Sequence, residues 1–326
     1  MSSSLREDHA NTIAAIVGGG SIGVAFAIVF AKAAWKVRLY DPDAARREAV
    51  APELRSRLES LDEFGLLSET PAQVAGRVEV FDTLAQAVWG VSIVQECAPE
   101  NLEIKREIFE QLAIHAPATA VLASSSSALP VSQYAPDGPA RARCIVAHPG
   151  NPPYLIPVIE IVPTPFTDPA TVTEAGRLYG WCGLSPVHVR AEVEGFIFNR
   201  LQGAVLREAY CLVRDGVATV DDVDTIVRQG LGLRWSFMGP FETVDLNTRG
   251  GIASHAQKMG PAYARMGAQR GQRDPWVSDL VADVAEQRRR LLPLDLWEQR
   301  VQWRDRMLMR LMRQRRDGTE SWPPQS

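Results

Sequence analysis

The fold is decided by residues 13–41, which read IAAIVGGGSIGVAFAIVFAKAAWKVRLYD. The apolar run Ile13–Val17 predicts a buried β-strand, and it leads into a Gly-x-Gly-x-x-Gly pattern that starts at Gly18. A helical pattern and a second apolar strand follow, and Asp41 stands 23 residues after Gly18. In this strand–turn–helix–strand context, the glycine pattern indicates a dinucleotide-binding βαβ unit.

The residue types in this turn have separate tasks. Gly18 permits the tight turn, Gly20 lets a pyrophosphate approach the backbone, and Gly23 lets the helix pack closely on the strand. The start of the helix offers unpaired N–H groups to phosphates. Asp41 is expected to accept hydrogen bonds from ribose hydroxyls and to repel a 2′-phosphate, which favours NAD over NADP. The alternative is a glycine-rich turn that binds no dinucleotide.

We predict an α/β fold, with a Rossmann-type, doubly wound, mostly parallel sheet followed by an all-helical C-terminal domain. The boundary is placed between a dinucleotide-binding domain, 1–192, and a helical substrate and dimerisation domain, 193–326. The predicted strands are Ile13–Val17, Val37–Tyr40, Val78–Phe81, Val91–Gln95, Ala120–Ala123, Cys144–Ala147 and Val158–Val162. The predicted helices between them include Ile22–Ala34, Asp43–Leu61 and Asn101–Ile114.

The composition is that of an ordinary globular protein. The 326 residues are 46% hydrophobic and 23% charged, with a net charge of −4. This mild acidity argues against nucleic-acid and membrane-surface partners. The longest apolar run near the start, Val24–Ala31, is too short to span a membrane, and the first residues do not resemble a signal peptide. Four scattered cysteines predict neither disulfides nor a metal site, so we expect a cytoplasmic protein.

Three polar features follow predicted strands downstream. They are the serine run Ser124–Ser127, His148 at a strand end, and Glu160 on the next strand. A neutral imidazole can take a hydroxyl proton while a carboxylate holds its other nitrogen. The alternative for His148 is a structural role at the strand end. The dinucleotide pattern and the nearby serines and glutamate favour catalysis.

These motifs resemble the 3-hydroxyacyl-CoA dehydrogenase superfamily over nearly the whole chain. Within it, they most resemble the λ-crystallin/L-gulonate 3-dehydrogenase branch. The motifs that carry the resemblance are the glycine turn with Asp41, the serine run, Ala147-His148-Pro149 with Asn151-Pro152, residues 151–157 (NPPYLIP), Glu160, residues 195–200 (GFIFNR), residues 230–235 (GLGLRW), residues 239–243 (GPFET) and residues 302–305 (QWRD).

The resemblance implies roles for individual residues. His148 matches the general base, Glu160 its carboxylate partner, and Ser127, 21 residues before His148, the active-site serine. Asn199 matches the amide that helps to hold the reacting oxygen; a helix-packing amide is the alternative. The residues expected to bind NAD are Gly18, Gly20, Ser21, Ile22, Gly23, Asp41, Glu100, Lys105 and Ser125.

The predicted substrate is a small 3-hydroxy acid with a free carboxylate, similar to L-gulonate. Arg234 is the candidate partner for that carboxylate, together with Ser127 and Asn199 as substrate contacts, although a surface arginine is equally compatible. Acidic residues within Arg55–Arg77 disfavour a CoA thioester. A 3-hydroxyacyl-CoA or carnitine-type dehydrogenase and a λ-crystallin-like structural NAD-binding protein stay as alternatives.

Two residues that depart from the family pattern and the C-terminal tail give the remaining predictions. Ser125 and Gly150 differ from the residues that many relatives carry, which leaves the pocket shape open. The tail holds seven arginines between Arg300 and Arg316, and its apolar stripe predicts a helix face or dimer contact rather than a nucleic-acid arm. The stripe consists of Trp303, Met307 and Leu311. A homodimer is expected from the resemblance.

Overall fold

The computed structural model describes residues 12–271, 277–300 and 303. Its contacts divide into two compact units, Met1–Leu206 and Arg207–Ser326. The predicted boundary at residue 192 follows the last strand, whereas the division between the units falls inside the helix Phe198–Arg214. The position of the domain boundary therefore stays a prediction.

The first unit is built on one eight-stranded sheet. Its strands are β1 (Ile13–Val17), β2 (Lys36–Tyr40), β3 (Val78–Phe81), β4 (Ile93–Glu96), β5 (Val121–Ser124), β6 (Cys144–Pro149), β7 (Val158–Pro163) and β8 (Ser185–His188). They lie in the order β3-β2-β1-β4-β5-β6-β7-β8, and neighbours are parallel except β6 and β7. The order of the first six strands is that of a doubly wound dinucleotide-binding sheet, which confirms the predicted fold class.

The sequence pattern does not predict β8. This strand, Ser185-Pro186-Val187-His188, has one β-branched residue and a proline, so it lacks the signal of a buried strand. It lies at the edge of the sheet, where proline is tolerated, and it pairs with β7. All seven predicted strands are present, with ends that differ by at most two residues.

Six helices connect the strands of the first unit. They are α1 (Ser21–Lys32), α2 (Ala44–Glu63), α3 (Pro71–Ala75), α4 (Leu84–Val88), α5 (Leu102–His115) and α6 (Pro169–Trp181). Side-chain caps begin two of the predicted helices: Asp43 accepts from the N–H of Ala45 at 2.9 Å, and Asn101 accepts from that of Ile104 at 3.0 Å. These caps explain why sequence and structure agree on where α2 and α5 begin.

Two apolar clusters bury the two faces of the sheet. Helix α1 is apolar on nearly every side, and its Phe30 ring stacks on Trp35 with centroids 5.5 Å apart. Tyr179 of α6 packs against Phe30 in the same cluster. The opposite cluster includes Phe109 and Tyr134, whose rings meet edge to face. Covering both faces leaves the strand ends as the places where polar side chains gather.

The elements described after β8 are helical. They are α7 (Phe198–Arg214), α8 (Val220–Ile226), a π-turn at Val227–Leu231, α9 (Gly232–Trp235), α10 (Pro240–Asn247), α11 (Gly251–Gln269), α12 (Ser278–Leu291) and a short 3₁₀ turn at Leu294–Leu296. Within the second unit, the buried Asp245 accepts from the N–H of Ile252 at 2.8 Å and pairs with Arg289. The helices that follow β8 confirm the predicted helical C-terminal region.

The predicted tail stripe falls largely outside the described residues, which include Trp303 but not Met307 or Leu311. The Arg300 guanidinium lies 3.6 Å from the centre of the Trp303 ring and donates to Glu242 at 2.7 Å. Across the described residues, no helix combines the length and the apolar character that a membrane crossing requires.

Candidate active site

The glycine turn leaves open the space that a phosphate group requires. Gly18 has a φ of 108°, and a Cβ atom on it would lie 2.7 Å from the Cys97 carbonyl oxygen. A Cβ on Gly23 would lie 1.9 Å from the carbonyl oxygen of Gly18, so neither position admits a side chain without a backbone shift. A Cβ on Gly20 would meet no atom of the described residues within 4 Å. Packing therefore does not require glycine at position 20, and the open space at the start of α1 fits a pyrophosphate.

Asp41 lies beside this turn at the end of β2. Its Oδ2 accepts from the N–H of Gly19 at 2.7 Å, and its Oδ1 accepts from that of Asp43 at 2.9 Å. The two arginines that follow are engaged elsewhere: Arg46 donates to the Gly19 carbonyl and Arg47 to the Asp41 carbonyl. Their acidic partners are Glu53 and Asp82, respectively. Both guanidinium groups are thus bound to protein groups, which agrees with the preference for NAD over NADP that Asp41 predicts.

Sequence reasoning missed one cation at the turn, Arg57 of α2. Its Nη1 donates to the Ser21 carbonyl oxygen at 3.0 Å, and its Nη2 donates to Ser21 Oγ at 2.8 Å. Ser21 and Ile22 open α1 as predicted. Arg57 belongs to no recognisable motif, so only the packing of α2 on α1 reveals its position.

A buried ion pair lies beneath the serine run. Lys105 Nζ donates to both carboxylate oxygens of Glu96 at 3.0 Å, and Ser124 Oγ donates to the same carboxylate at 2.5 Å. Both side chains of the pair are fully buried. Burial raises the pKa of Glu96, while the Lys105 ammonium and the Ser124 hydroxyl oppose that effect. The Lys105 ammonium is thus surrounded by protein groups, and its predicted contact with the cofactor stays a prediction.

Glu100 holds the loop that carries the candidate serine. Its Oε1 accepts from Ser126 Oγ at 2.6 Å and from the N–H groups of Ala128 and Leu129 at 3.0 Å each. Burial would raise the pKa of Glu100, but these hydrogen bonds outweigh it and the pKa is lowered. Glu100 is therefore a clamp on both sides of the exposed Ser127, a role that the sequence did not indicate. Its predicted contact with the cofactor, like that of the half-buried Ser125, stays a prediction.

His148 and Glu160 form a buried pair across two antiparallel strands. They are directly opposite in the register of β6 and β7, which places both side chains on one face of the sheet. His148 Nδ1 lies 2.7 Å from Glu160 Oε2, and both residues are at most 6% exposed. A carboxylate accepts only, so Nδ1 carries the proton, and in the neutral imidazole Nε2 offers its lone pair to a substrate.

The start of α7 binds the other oxygen of Glu160. Oε1 accepts from the N–H groups of Ile197 at 2.7 Å and Phe198 at 2.9 Å. These are unpaired donors of a helix N-terminus, whose dipole favours a negative charge. Burial would raise the pKa of Glu160, but the hydrogen bonds from His148 and these two N–H groups lower it. The carboxylate is thus kept ionised beside the imidazole.

The same helix start holds the serine loop. Asn199 Nδ2 donates to the carbonyl oxygen of Ser127 at 2.9 Å. Because Phe198 binds Glu160, adjacent residues of α7 tie the serine loop to the histidine–glutamate pair. The preceding Phe196 has a φ of 49° and buries its ring 5.7 Å from the His148 ring. The structure brings Ser127, His148, Glu160 and Asn199 into one connected arrangement.

Arg234 belongs to the second unit. It lies on α9, is half-buried, and its carbonyl oxygen accepts from the N–H groups of Phe237 and Met238. Its predicted contact with a substrate carboxylate stays a prediction.

Two protein-family models match consecutive parts of this chain. The one described as "3-hydroxyacyl-CoA dehydrogenase, NAD binding domain" matches residues 13–193, and the one described as "3-hydroxyacyl-CoA dehydrogenase, C-terminal domain" matches residues 195–289. The chain belongs to the 3-hydroxyacyl-CoA dehydrogenase family. It is thus an oxidoreductase by family, and NAD is its cofactor.

Individual relatives indicate the branch of the family to which the chain belongs. Lambda-crystallin of Oryctolagus cuniculus is 37% identical over 305 residues, which cover 92% of this chain and 95% of that protein. The L-carnitine dehydrogenase of Streptomyces griseus is 40% identical over 251 residues, which cover 76% of this chain and 73% of that protein. The predicted λ-crystallin branch of the family is confirmed.

A solved structure supports the same fold. An NAD⁺-dependent dismutase, named as a 5-formyl-3-hydroxy-2-methylpyridine 4-carboxylic acid 5-dehydrogenase, superposes with a TM-score of 0.69 at 27% identity. The match covers 86% of this chain and 96% of that one.

Proposed function

We propose that this chain oxidises the 3-hydroxyl group of a small, free 3-hydroxy acid similar to L-gulonate, with NAD as the hydride acceptor. The observation that carries the proposal is the buried His148–Glu160 pair, fixed by the N-terminus of α7. Strands β1, β4, β5 and β6 are parallel, so His148 near the end of β6 and the glycine turn after β1 lie at the same edge of the sheet. A histidine of defined tautomer at the edge that carries a dinucleotide turn suits alcohol oxidation by hydride transfer.

The residues of this chain account for the proton. His148 Nε2 takes the proton of the 3-hydroxyl group as the C3–H bond breaks and the hydride leaves. Glu160 stabilises the resulting imidazolium through its bond to Nδ1. The Ser127 hydroxyl and the second N–H of the Asn199 amide hold the substrate oxygen as it becomes a carbonyl, each worth a few kcal/mol. When bound at the glycine turn, NAD supplies the acceptor for the hydride.

The proposed substrate class rests on charge. Arg234 offers a guanidinium to a free carboxylate, which binds such a group through two parallel hydrogen bonds. The solved dehydrogenase with the carboxylic acid in its name supports an acid substrate. Kinetics of Arg234→Ala test the contact: the KM for free acids should rise, and an unchanged KM and kcat would remove Arg234 from the proposal.

Carnitine is the second candidate, because a relative 40% identical to this chain is named an L-carnitine dehydrogenase. Carnitine is also a 3-hydroxy acid, so the same histidine chemistry applies. A quaternary ammonium needs an aromatic or anionic cage, whereas Arg234 would repel it at close range. A CoA thioester and a structural NAD-binding role are further alternatives.

A substrate panel separates these candidates. NADH formation is measured with L-gulonate, L-3-hydroxybutyrate, L-carnitine and L-3-hydroxybutyryl-CoA in parallel. Turnover of L-gulonate or L-3-hydroxybutyrate supports the proposal. A preference for L-carnitine or for the thioester would replace the proposed substrate with that compound. Tight NADH binding without turnover would favour the structural role. A cytoplasmic location and a homodimer stay predictions.

A further inference from the structure

A cavity of about 370 Å³ lies in the first unit, apart from the residues of the candidate active site. It is formed by the C-terminal ends of α1 and α6 and by the loop between β6 and β7. Pro153, Tyr154 and Pro157 of that loop form one wall, and none of the lining residues belongs to the glycine turn or the serine loop. The two ends of the same loop lead to His148 and Glu160.

The walls of the cavity are aromatic. Trp35 follows α1 and is 1% exposed, and Trp181 ends α6. Tyr154 and Trp181 pack against the apolar cluster on this face of the sheet. The Arg177 guanidinium stacks 3.5 Å from the centre of the Trp181 ring, which fixes the indole. Such surfaces bind flat or apolar molecules of small size.

One cation, Lys32, lines this cavity. Lys32, in the last turn of α1, is half-buried, and burial lowers its pKa. Within residues 12–271, 277–300 and 303, no carboxylate forms an ion pair with Lys32. The lining carboxylate, Glu69, is bound to Arg77 by two hydrogen bonds of 2.6 and 2.8 Å. An ammonium in apolar surroundings is costly unless an anion meets it.

We propose that this cavity binds a small monocarboxylate with an aromatic body. The carboxylate pairs with the Lys32 ammonium, and the body lies between Tyr154, Trp35 and Trp181. A compact dianion such as phosphate is disfavoured, because the walls around the Lys32 ammonium are aromatic and apolar and also hold the carboxylate of Glu69. The site is independent of the proposed substrate.

The probe is 3-phenylpropionate, with 3-phenyl-1-propanol as its neutral match, titrated calorimetrically into the full chain with saturating NADH present. The acid should bind at least about tenfold more tightly than the alcohol, the effect of one charge-assisted hydrogen bond. In Lys32→Met this preference should vanish, whereas Lys36→Met, at an exposed position nearby, should keep it. Unchanged NADH binding shows that both variants are folded.

Three results would overturn the proposal. They are equal binding of the acid and the alcohol to the unmodified chain, an undiminished preference in Lys32→Met, and loss of acid binding when a substrate acid is added. The thermal midpoint is an independent test, because Lys32 is half-buried and pairs with no carboxylate of the described residues. Removing its charge should leave the midpoint unchanged or raise it. A drop of more than about 2 °C in Lys32→Met alone would show that the lysine is already compensated.

Discussion

Replacing Glu160 by glutamine tests the histidine–glutamate pair with little change in shape. The carboxylate accepts three hydrogen bonds, one from His148 and two from the start of α7. An amide has only one acceptor oxygen, so its NH₂ group must face at least one of these donors. The imidazole then loses the partner that sets its tautomer and stabilises its charged form.

The magnitude follows from these contacts. Charge-assisted hydrogen bonds contribute about 1 kcal/mol more than neutral ones, so weakening three of them should lower the unfolding free energy by about 3 kcal/mol. For catalysis, loss of a carboxylate that orients a catalytic histidine costs up to about 10⁴ in kcat in a serine protease. We expect a fall in kcat of about 10³ to 10⁴, equal to about 4 to 5.5 kcal/mol at about 1.4 kcal/mol per tenfold.

The assay combines NADH formation with denaturant unfolding, and Glu174→Gln is the matched control. Glu174 pairs with Arg177 on the surface of α6, where an ion pair contributes little. The control should therefore keep its rate and its stability within about 0.5 kcal/mol. A Glu160→Gln protein that turns over within about tenfold of the unmodified enzyme would refute the reasoning.

Three further predictions concern the cofactor turn, the buried ion pair and acid stability. Gly20→Ala should fold normally but bind NADH at least about tenfold more weakly, since its Cβ enters the open space at the phosphate site. Gly23→Ala should also lose stability, because its Cβ meets the backbone of Gly18. Equal melting curves for the two variants would contradict this difference. Lys105→Met should lower the unfolding free energy by about 3 to 5 kcal/mol in denaturant titrations, because Glu96 stays buried without its partner; a loss below about 1 kcal/mol would contradict it. The pKa of Glu160 is lowered, so its charge stabilises the fold above the ordinary pKa of 4.5, and this stabilisation is lost as the pH falls through the lowered pKa. The difference in unfolding free energy between the unmodified chain and Glu160→Gln should therefore narrow below pH 4.5. A difference that stays constant with pH would contradict this prediction.

The sequence predicts the strands and the glycine turn well because both depend on local signals. Apolar runs flanked by glycine or polar residues specify β1 and β2, and the side chains that cap α2 and α5 can be read at Asp43 and Asn101. The pairing of His148 with Glu160 is a consequence of strand register. The sequence indicates it because both residues lie on consecutive predicted strands, and the resemblance to the family assigns their roles.

The contacts that the sequence does not predict are long-range and involve the backbone. Glu100 clamps the serine loop through N–H groups 28 and 29 residues away, and the N–H groups of Ile197 and Phe198 reach Glu160 from 37 and 38 residues away. Backbone N–H groups are present in every residue except proline, so the residue types do not show which of them bind a distant carboxylate. The buried position of Lys105 is likewise set by tertiary packing around Glu96, because the helical pattern of α5 gives no sign of an internal ion pair.

The central claim is that His148 removes the hydroxyl proton. Its most direct test is the rate of NADH formation by His148→Ala on the best free acid of the panel, with NADH affinity measured on the same preparation. The account predicts a fall in rate of at least about 10² to 10⁴, the range of general base catalysis, with NADH affinity unchanged within about threefold. A variant that binds NADH and still turns over at the rate of the unmodified chain would contradict it.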